Sequence, residues 1–292
     1  MFSGSIVAII TPMSADGGVD YQALEKLVEF HVVNKTDAIV AVGTTGESST
    51  LDFKEHREVV RQTIAFAKGR LPVIAGTGSN STLEAIKLTN WAAEDGAQGA
   101  LIVVPYYNKP PQEGLYQHYK LIAESVDLPQ ILYNVPSRCA CDLLPETVER
   151  LCEFDNIVAI KEASTLERVQ DLVARVGTKI SVLTGEDAIA AECVLQGARG
   201  VISVTANVAP KQMHTMIHAA LKGDRTTAMA INESIASLHK ALFLEANPIP
   251  VKWALAQMQM AQLGIRLPLV PLSDSYHAQV RLALENAGIL SS

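Results

Sequence analysis

A lysine at the end of a short apolar run is the residue with the clearest chemical potential in this sequence. Residues 157–160 read Ile-Val-Ala-Ile and run directly into Lys161. A run of this kind, rich in β-branched residues, is typical of a strand buried on both faces. Burial disfavours the charged ammonium, and a neutral lysine amine is a nucleophile that forms a Schiff base with a carbonyl group. The ordinary alternative is a lysine that extends its amine into solvent, as most lysines do.

Polar residues with related chemistry follow other apolar runs. Thr44 and Thr45 lie in a Gly-Thr-Thr-Gly turn, whose amides and hydroxyls could bind a carboxylate. Tyr107 and Tyr133 could transfer protons, and Arg138 could hold a second carboxylate through two parallel hydrogen bonds. Each residue alone also fits a simpler role, as a tight turn, a core or interface aromatic, or a solvated loop cation. Their joint occurrence after successive runs favours a site that acts on a carbonyl compound.

The elements that would position these residues alternate regularly between strands and helices. The predicted strands are residues 5–10, 38–42, 72–75, 100–104, 130–133, 157–161, 179–183 and 200–204. Each is followed by a segment with helical periodicity, and Asp20 is a plausible N-cap of the first helix. Uniformly apolar strands that alternate with helices indicate a parallel sheet covered on both faces. Eight such units predict an α/β fold, a closed (β/α)₈ TIM barrel, with catalytic groups at the carboxyl ends of the strands.

The pattern changes after the eighth unit. From residue 225 onward it is helical without strands, and the predicted helices cover residues 227–244, 249–263 and 273–286. We therefore expect a barrel domain over residues 1–224 and a helical C-terminal extension over residues 225–292.

Composition narrows the function classes further. Of the 292 residues, 48% are hydrophobic and 19% are charged, and the net charge is −7. These values predict a large core and argue against nucleic acid as a partner. Neither a signal peptide nor a membrane span is predicted. The four cysteines lack Cys-x-x-Cys spacing, which suits free thiols in the cytoplasm.

The sequence contains no complete cofactor-binding motif. Residues 76–81 begin like a dinucleotide-binding fingerprint but lack its third glycine, and there is no phosphate-binding P-loop. The histidines were interpreted as having no metal-ligand spacing. We therefore expect neither a cofactor nor a metal.

Three motifs together carry a family resemblance. They are Gly-Thr-Thr-Gly-Glu at 43–47, Tyr-Asn-Val-Pro-Ser-Arg at 133–138 and Ile-Lys-Glu-Ala at 160–163. The chain resembles the pyruvate-dependent class I aldolases of the dihydrodipicolinate synthase and N-acetylneuraminate lyase family. The resemblance covers essentially the whole chain, through residues 247–252.

The resemblance implies a set of catalytic roles. Lys161 would condense with pyruvate to give an imine and then an enamine. Thr44 and Thr45 would hold the pyruvate carboxylate. Tyr133 would transfer protons together with Thr44 and with Tyr107, which in this family comes from the neighbouring subunit.

The resemblance also implies a second substrate, L-aspartate 4-semialdehyde, whose carboxylate Arg138 would hold. Main-chain groups at Gly185 and Ile202 would line the pocket. The enamine would attack the aldehyde, and the substrate's amino group would displace Lys161 as the ring closes, in the first committed step of lysine and diaminopimelate synthesis. Residues 139–140 read Cys-Ala where many members have Thr-Gly, which predicts at most a modest change in substrate affinity.

Two further properties follow from the resemblance. Family members are usually homotetramers built from tight dimers. Most of the site at which L-lysine inhibits the bacterial enzymes is recognisable, although Phe53 stands where some inhibited members have histidine. The residues of that site are Ser48, Ser49, His56, Asn80, Glu84 and Tyr106.

Two alternatives remain at this level. Another pyruvate-type aldolase, such as a sialic acid or keto-deoxy-sugar lyase, would share the lysine, but such lyases generally lack an arginine at position 138. A non-catalytic barrel that senses pyruvate or lysine would have no need of a nucleophile with a proton relay.

Overall fold

Eight parallel strands form the centre of the computed structural model, which describes residues 2–291. The strands pair in chain order, and β8 closes the barrel by pairing with β1. Their bounds are β1 Gly4–Ala8, β2 Ala38–Ala41, β3 Val73–Gly76, β4 Gly99–Val103, β5 Gln130–Asn134, β6 Ile157–Glu162, β7 Ser181–Thr184 and β8 Gly200–Ser203. The predicted TIM barrel is therefore confirmed, and its strands are buried almost throughout.

Helices surround this barrel and continue after it. The helices that accompany the barrel are α1 Tyr21–Val33, α2 Phe53–Ala67, α3 Thr82–Glu94, α4 Gln112–Ser125, α5 Pro136–Cys139, α6 Pro145–Leu151, α7 Leu166–Val176, α8 Ala190–Leu195 and α9 Pro210–Leu221. The C-terminal helices are α10 Arg225–Ser234, α11 Ala236–Ala241, α12 Ile249–Gln257 and α13 Asp274–Asn286. Within residues 2–291, no helix combines the length and the apolar character needed to cross a lipid bilayer.

Local signals explain where the first helix begins and which face it buries. The side chain of Asp20 accepts a hydrogen bond from the amide of Ala23 at 3.0 Å, which satisfies one of the free donors at the helix start. The predicted core face, Leu24, Leu27, Val28 and His31, is the buried face of α1. The spacing of three and four residues therefore packs this helix against the barrel.

Three predictions about the helices were wrong. The helix expected over residues 227–244 is divided into α10 and α11 at Ile235, whose backbone leaves helical geometry. The helix expected over 249–263 ends at Gln257, because Gln259 adopts a left-handed conformation with φ 57°. Residues 136–139, expected in a loop, form the short helix α5, in which Pro136 occupies the first turn, where its fixed φ is favourable.

A β-bulge sets the register at the centre of the barrel. Gln130 pairs with Ile157 and Ile131 pairs with Ala159, so Val158 is the extra residue of β6. Beyond the bulge, Tyr133 lies directly opposite Lys161. If β5 and β6 paired regularly from Gln130 and Ile157 onward, Asn134 would lie opposite Lys161. The bulge therefore places Tyr133 opposite the lysine.

Candidate active site

Lys161 points into a cavity of about 250 Å³ at the carboxyl end of the barrel. The walls come from several strand ends and from the C-terminal helices. The lining includes Gly43, Thr44, Thr45, Tyr133, Ser137, Arg138, Lys161, Gly185, Glu186, Val204, Phe243 and Asn247. The structure thus brings together most of the residues that the sequence predicted, at the end of the barrel where such sites lie.

The environment of Lys161 favours a neutral amine. The residue is only 7% exposed, and this burial lowers the pKa of its amine to about 8, assisted by the positive charge of Arg138. The carboxylates of Asp187 and Glu186 act in the opposite direction and keep the pKa from falling further. With this pKa about a tenth of the Lys161 amine is neutral at pH 7, far more than for an exposed lysine, and nucleophilic attack requires the neutral form.

Tyr133 lies against the lysine. The Lys161 Nζ atom is 4.3 Å from the centroid of the Tyr133 ring. Burial raises the pKa of the Tyr133 hydroxyl to about 12, although a hydrogen bond with the Thr44 side chain acts to lower it. The phenol is therefore protonated at neutral pH and can serve as a proton donor beside the nucleophile.

The Gly-Thr-Thr-Gly loop presents backbone amides to the cavity. The amides of Gly46 and Glu47 donate to carbonyls of the loop itself, at 3.0 and 3.1 Å. Within residues 2–291, by contrast, the amides of Thr44 and Thr45 donate to no other protein group. An added Cβ at Gly46 would lie 2.9 Å from the Cα of Val42, so the tight turn requires glycine there. Two free amides beside a hydroxyl form a concavity suited to a carboxylate.

The C-terminal helices hold this loop in place. Asn247, just before α12, donates from Nδ2 to the Thr45 hydroxyl at 2.9 Å. Lys252 of α12 forms a buried ion pair with Glu47, and the amide of Arg266 donates to the same carboxylate at 3.1 Å. Burial of one partner without the other would leave an uncompensated charge, so these contacts fix the loop strongly.

A second hydrogen-bond network fixes the ends of β5 and β6. Asn134 donates from Nδ2 to Glu162 at 3.0 Å and to Asp142 at 2.7 Å. Asp142 is in turn bound by Arg168 through two hydrogen bonds of 2.8 and 3.0 Å. Asn134 and Glu162 directly follow Tyr133 and Lys161, so the network fixes the strand ends that carry these two residues.

Arg138 is free to bind an anion. Its side chain lines the cavity from α5 and takes part in none of the ion pairs found between residues 2 and 291. Cys139, which departs from the family pattern, is buried behind it. Ala140 follows α5 in a left-handed conformation with φ 55°, which explains why glycine is suited to that position.

Gly185 packs closely against the nucleophile. An added Cβ at Gly185 would lie 2.8 Å from Lys161 Cε and 2.8 Å from the Cβ of Ala163. Glycine is therefore needed where β7 passes the lysine. Ile202 is buried in β8 and does not line the cavity, whereas Val204, two residues further on, does.

Tyr107 lies outside this cavity. Its side chain is 88% exposed and its backbone adopts φ 74°, which is unusual for a bulky residue. The structure of one chain therefore does not bring Tyr107 together with Lys161.

A second cavity, of about 450 Å³, adjoins the first. Five of the six residues predicted to bind lysine line it, namely Ser48, Ser49, His56, Glu84 and Tyr106. The sixth, Asn80, is not in the wall but donates from Nδ2 to the carbonyl of Tyr106 at 3.2 Å. Phe53 also lines this cavity, and Thr44, Val135 and Arg138 line both cavities.

The sequence analysis did not identify several residues of the site. Asp187 is buried and accepts from the amides of Val204 and Thr205 at 3.0 and 2.9 Å. Glu186 lines the cavity, and burial raises the pKa of its carboxyl group. Their position after β7 was a signal that could have found them. Phe243 and Asn247 lie between α11 and α12 in the C-terminal extension, where no strand end marks them as site residues.

Comparisons with known proteins agree with this geometry. A model of the dihydrodipicolinate synthetase family matches residues 1–287. A relative from Alkalilimnicola ehrlichii, named 4-hydroxy-tetrahydrodipicolinate synthase, is 60% identical over 99% of this chain and 100% of its own.

Two solved structures are informative. The chloride-inhibited dihydrodipicolinate synthase from Acinetobacter baumannii, complexed with pyruvate, is 54% identical, with a TM-score of 0.98 over 99% of this chain and 100% of that one. The enzyme from Cyanidioschyzon merolae with lysine bound is 39% identical, with a TM-score of 0.96 over 99% of each chain. Given a family match over nearly its whole length, relatives of high identity and a buried lysine that lines the cavity, the chain belongs to the dihydrodipicolinate synthetase family.

Proposed function

We propose that this chain condenses pyruvate with L-aspartate 4-semialdehyde to form 4-hydroxy-tetrahydrodipicolinate, through a Schiff base on Lys161. The observation that carries the proposal is the buried Lys161 amine, with its lowered pKa, in a cavity that also presents anion-binding groups on two sides. The proposed reaction needs neither a metal nor an organic cofactor, because the imine formed on Lys161 itself acts as the electron sink.

The first half of the reaction uses the Thr44–Thr45 amides and Lys161. The amides bind the pyruvate carboxylate, which directs the ketone toward the Lys161 amine. Attack gives a carbinolamine, and loss of water gives the imine. Removal of a methyl proton then gives the enamine, in which the former methyl carbon is the nucleophile.

The second half uses Arg138. The guanidinium binds the carboxylate of the semialdehyde while the enamine attacks its aldehyde carbon and the new alkoxide takes a proton. The substrate's amino group then attacks the imine carbon, and Lys161 leaves as the free amine when the ring closes. A second carboxylate needs a cation in this place, whereas a sugar acid would need hydroxyl partners.

The proton transfers fall to Tyr133 and Thr44. The Lys161 amine lies 4.3 Å from the centre of the Tyr133 ring, and the Tyr133 hydroxyl is hydrogen-bonded to the Thr44 side chain. In this proposal the hydroxyl protonates the departing hydroxyl of the carbinolamine and recovers its proton through Thr44. Main-chain groups at Gly185 complete the pocket in this proposal, whereas Ile202, which does not line the cavity, is left without a direct role.

Borohydride trapping tests the Schiff base. With pyruvate present, reduction should add a stable mass to the peptide that contains Lys161. Lys252 is the internal control, because it is the other buried lysine but its amine is engaged by Glu47. Label on Lys252, or label that persists in Lys161→Ala, would contradict the assignment. The second substrate is tested separately, by comparing condensation of the semialdehyde with cleavage of sialic and keto-deoxy-sugar acids.

We propose further that the chain self-associates as a homotetramer of tight dimers, and that Tyr107 completes the relay of a neighbouring subunit. An exposed aromatic side chain on a strained backbone supports this placement, since such strain persists where function requires it. Mixing two inactive variants, Tyr107→Phe and Lys161→Ala, should restore part of the activity after subunit exchange, because some sites then hold both natural residues. If mixed subunits stay inactive while hetero-oligomers form, Tyr107 does not act across the interface.

L-Lysine is the proposed inhibitor of this enzyme. The second cavity supports this idea, because it holds the carboxylate of Glu84 for an ammonium group and shares Thr44 and Arg138 with the catalytic cavity. Saturating lysine should lower the initial rate in the natural chain, and Glu84→Gln should weaken this effect. An initial rate untouched by lysine would refute the proposal. We also propose a cytoplasmic location, in keeping with four free cysteines.

A further inference from the structure

Three side chains of metal-binding type meet at the end of the barrel opposite the catalytic cavity. Asp37 directly precedes β2, and its Oδ2 atom accepts from the amide of Ser5 in β1 at 2.7 Å. His214 and His218 lie one helical turn apart on α9 and both face this carboxylate. The interpretation that the histidines lack metal-ligand spacing is therefore wrong for this pair, because positions i and i+4 place two imidazoles on one face of a helix.

The distances between the donor atoms suit a shared ion. His218 Nε2 is 3.0 Å from Asp37 Oδ1, and His214 Nδ1 is 3.4 Å from Asp37 Oδ2. One donor atom from each of the three residues lies within 4.8 Å of the others. Ligands held about 2.0–2.2 Å from a tetrahedral zinc ion are about 3.3–3.6 Å apart. The 3.4 Å separation of His214 and Asp37 lies in this range, and His218 would have to move slightly away from the carboxylate to admit the ion.

The donors have an incomplete set of partners without an ion. His214 Nδ1 is buried, and among the described residues its nearest acceptor is Asp37 Oδ2, at 3.4 Å without good hydrogen-bond geometry. The absence of a side chain at Gly4 makes space for Asp37, since a Cβ at Gly4 would lie 2.3 Å from Asp37 Oδ2. The carboxylate is thus fixed by β1, and His218 approaches both of its oxygens whereas His214 approaches Oδ2.

The surroundings leave part of a coordination sphere open. A cavity of about 680 Å³ lies beside the cluster and is lined by both histidines. Lys35, Lys211 and Lys222 also line it, so water or a small anion could occupy the remaining positions on an ion. Two imidazoles and one carboxylate are donors that Zn²⁺ and related first-row ions accept, whereas Mg²⁺ and Ca²⁺ prefer oxygen alone.

We propose that Asp37, His214 and His218 form a binding site for a divalent cation of the zinc class, which stabilises the barrel at the end remote from catalysis. The ion would take the place of the proton that His218 shares with Asp37 and would link α9 to the start of β1 and β2. The catalytic cavity lies at the other end, so the site is not needed for the condensation.

Direct binding of Zn²⁺ and Co²⁺ to the purified, metal-stripped chain tests this site. We expect one ion per chain by equilibrium dialysis, and visible Co²⁺ absorption typical of nitrogen coordination. His214→Gln and His218→Asn should each weaken binding at least tenfold. At a Zn²⁺ concentration 100 times the Kd, the melting temperature of the natural chain should rise by about 5 °C, and that of the variants should not.

The matched control is His277→Asn. His277 and Asp274 form another histidine–carboxylate pair on a helix, with 3.6 Å between Nδ1 and Oδ1, and belong to no three-donor group in residues 2–291. This variant should bind metal as the natural chain does. Absence of binding below millimolar Zn²⁺, or full binding by the double variant His214→Gln/His218→Asn, would overturn the proposal. Each variant should retain basal activity, which also shows that it has folded.

Discussion

Replacing Lys161 by Met should abolish catalysis and stabilise the fold at neutral pH. The pKa of Lys161 falls from 10.5 to about 8 on folding, chiefly because of burial. The unfolded chain therefore binds the proton more strongly than the folded chain does. Each pKa unit corresponds to 1.36 kcal/mol, so the protonated lysine costs about 3 kcal/mol of stability below pH 8.

The sign of the pH dependence follows from this difference. Between about pH 8 and pH 10.5 the folded chain loses the Lys161 proton first, so this residue destabilises the fold less and less as the pH rises. Lys161→Met removes the titration altogether. Its stability advantage over the natural chain should therefore be about 3 kcal/mol larger at pH 7 than at pH 10.5.

Urea denaturation at both pH values, at one fixed protein concentration, measures this quantity. Comparing the two pH values cancels the change in packing that methionine introduces, and the fixed concentration removes effects of association. Lys240→Met is the matched control, since that side chain lies in solvent. If Lys161→Met raises the free energy of unfolding equally at both pH values, folding does not lower the pKa of Lys161 and the reasoning is refuted.

Three further substitutions separate the roles of the site residues. Tyr133→Phe should lower kcat by about 10²- to 10⁴-fold with little change in pyruvate binding, because a proton relay acts in the transition state; unchanged turnover in steady-state kinetics would remove it from the mechanism. Arg138→Gln should raise the KM for the semialdehyde about 10- to 100-fold and leave that for pyruvate unchanged, and equal effects on both would argue against its assignment. Gly185→Ala should slow borohydride trapping about 10²-fold, because its Cβ meets Lys161 Cε at 2.8 Å, and normal trapping would show that the lysine can move aside.

The barrel and its strand ends could be predicted because the signals are local. A strand buried on both faces is apolar along its whole length, so the residue at which the run stops also marks the end of the barrel where catalytic groups collect. Thr44, Tyr133, Arg138 and Lys161 were identified in this way, and they line one cavity. The role of each one remains a prediction.

The C-terminal helices were predicted less well, because their ends depend on the rest of the fold. The periodicity continues through Ile235 and Gln259, yet the backbone leaves the helix at both residues. The division at residue 225 is still a prediction, and the extension makes extensive contact with the barrel. Asn247 could not be placed beside Thr45 from sequence, since 202 positions separate them.

The contacts that brace the Gly-Thr-Thr-Gly loop have a consequence for synthesis of the chain. The loop leaves the ribosome early, but Asn247 and Lys252 follow its residues by 202 and 205 positions. At about 5–20 residues per second, the loop waits about 10–40 s for the side chains that fix it. A nascent chain can therefore form most of its barrel before the loop is ordered enough to bind a keto acid. We expect catalytic activity only when translation is nearly finished.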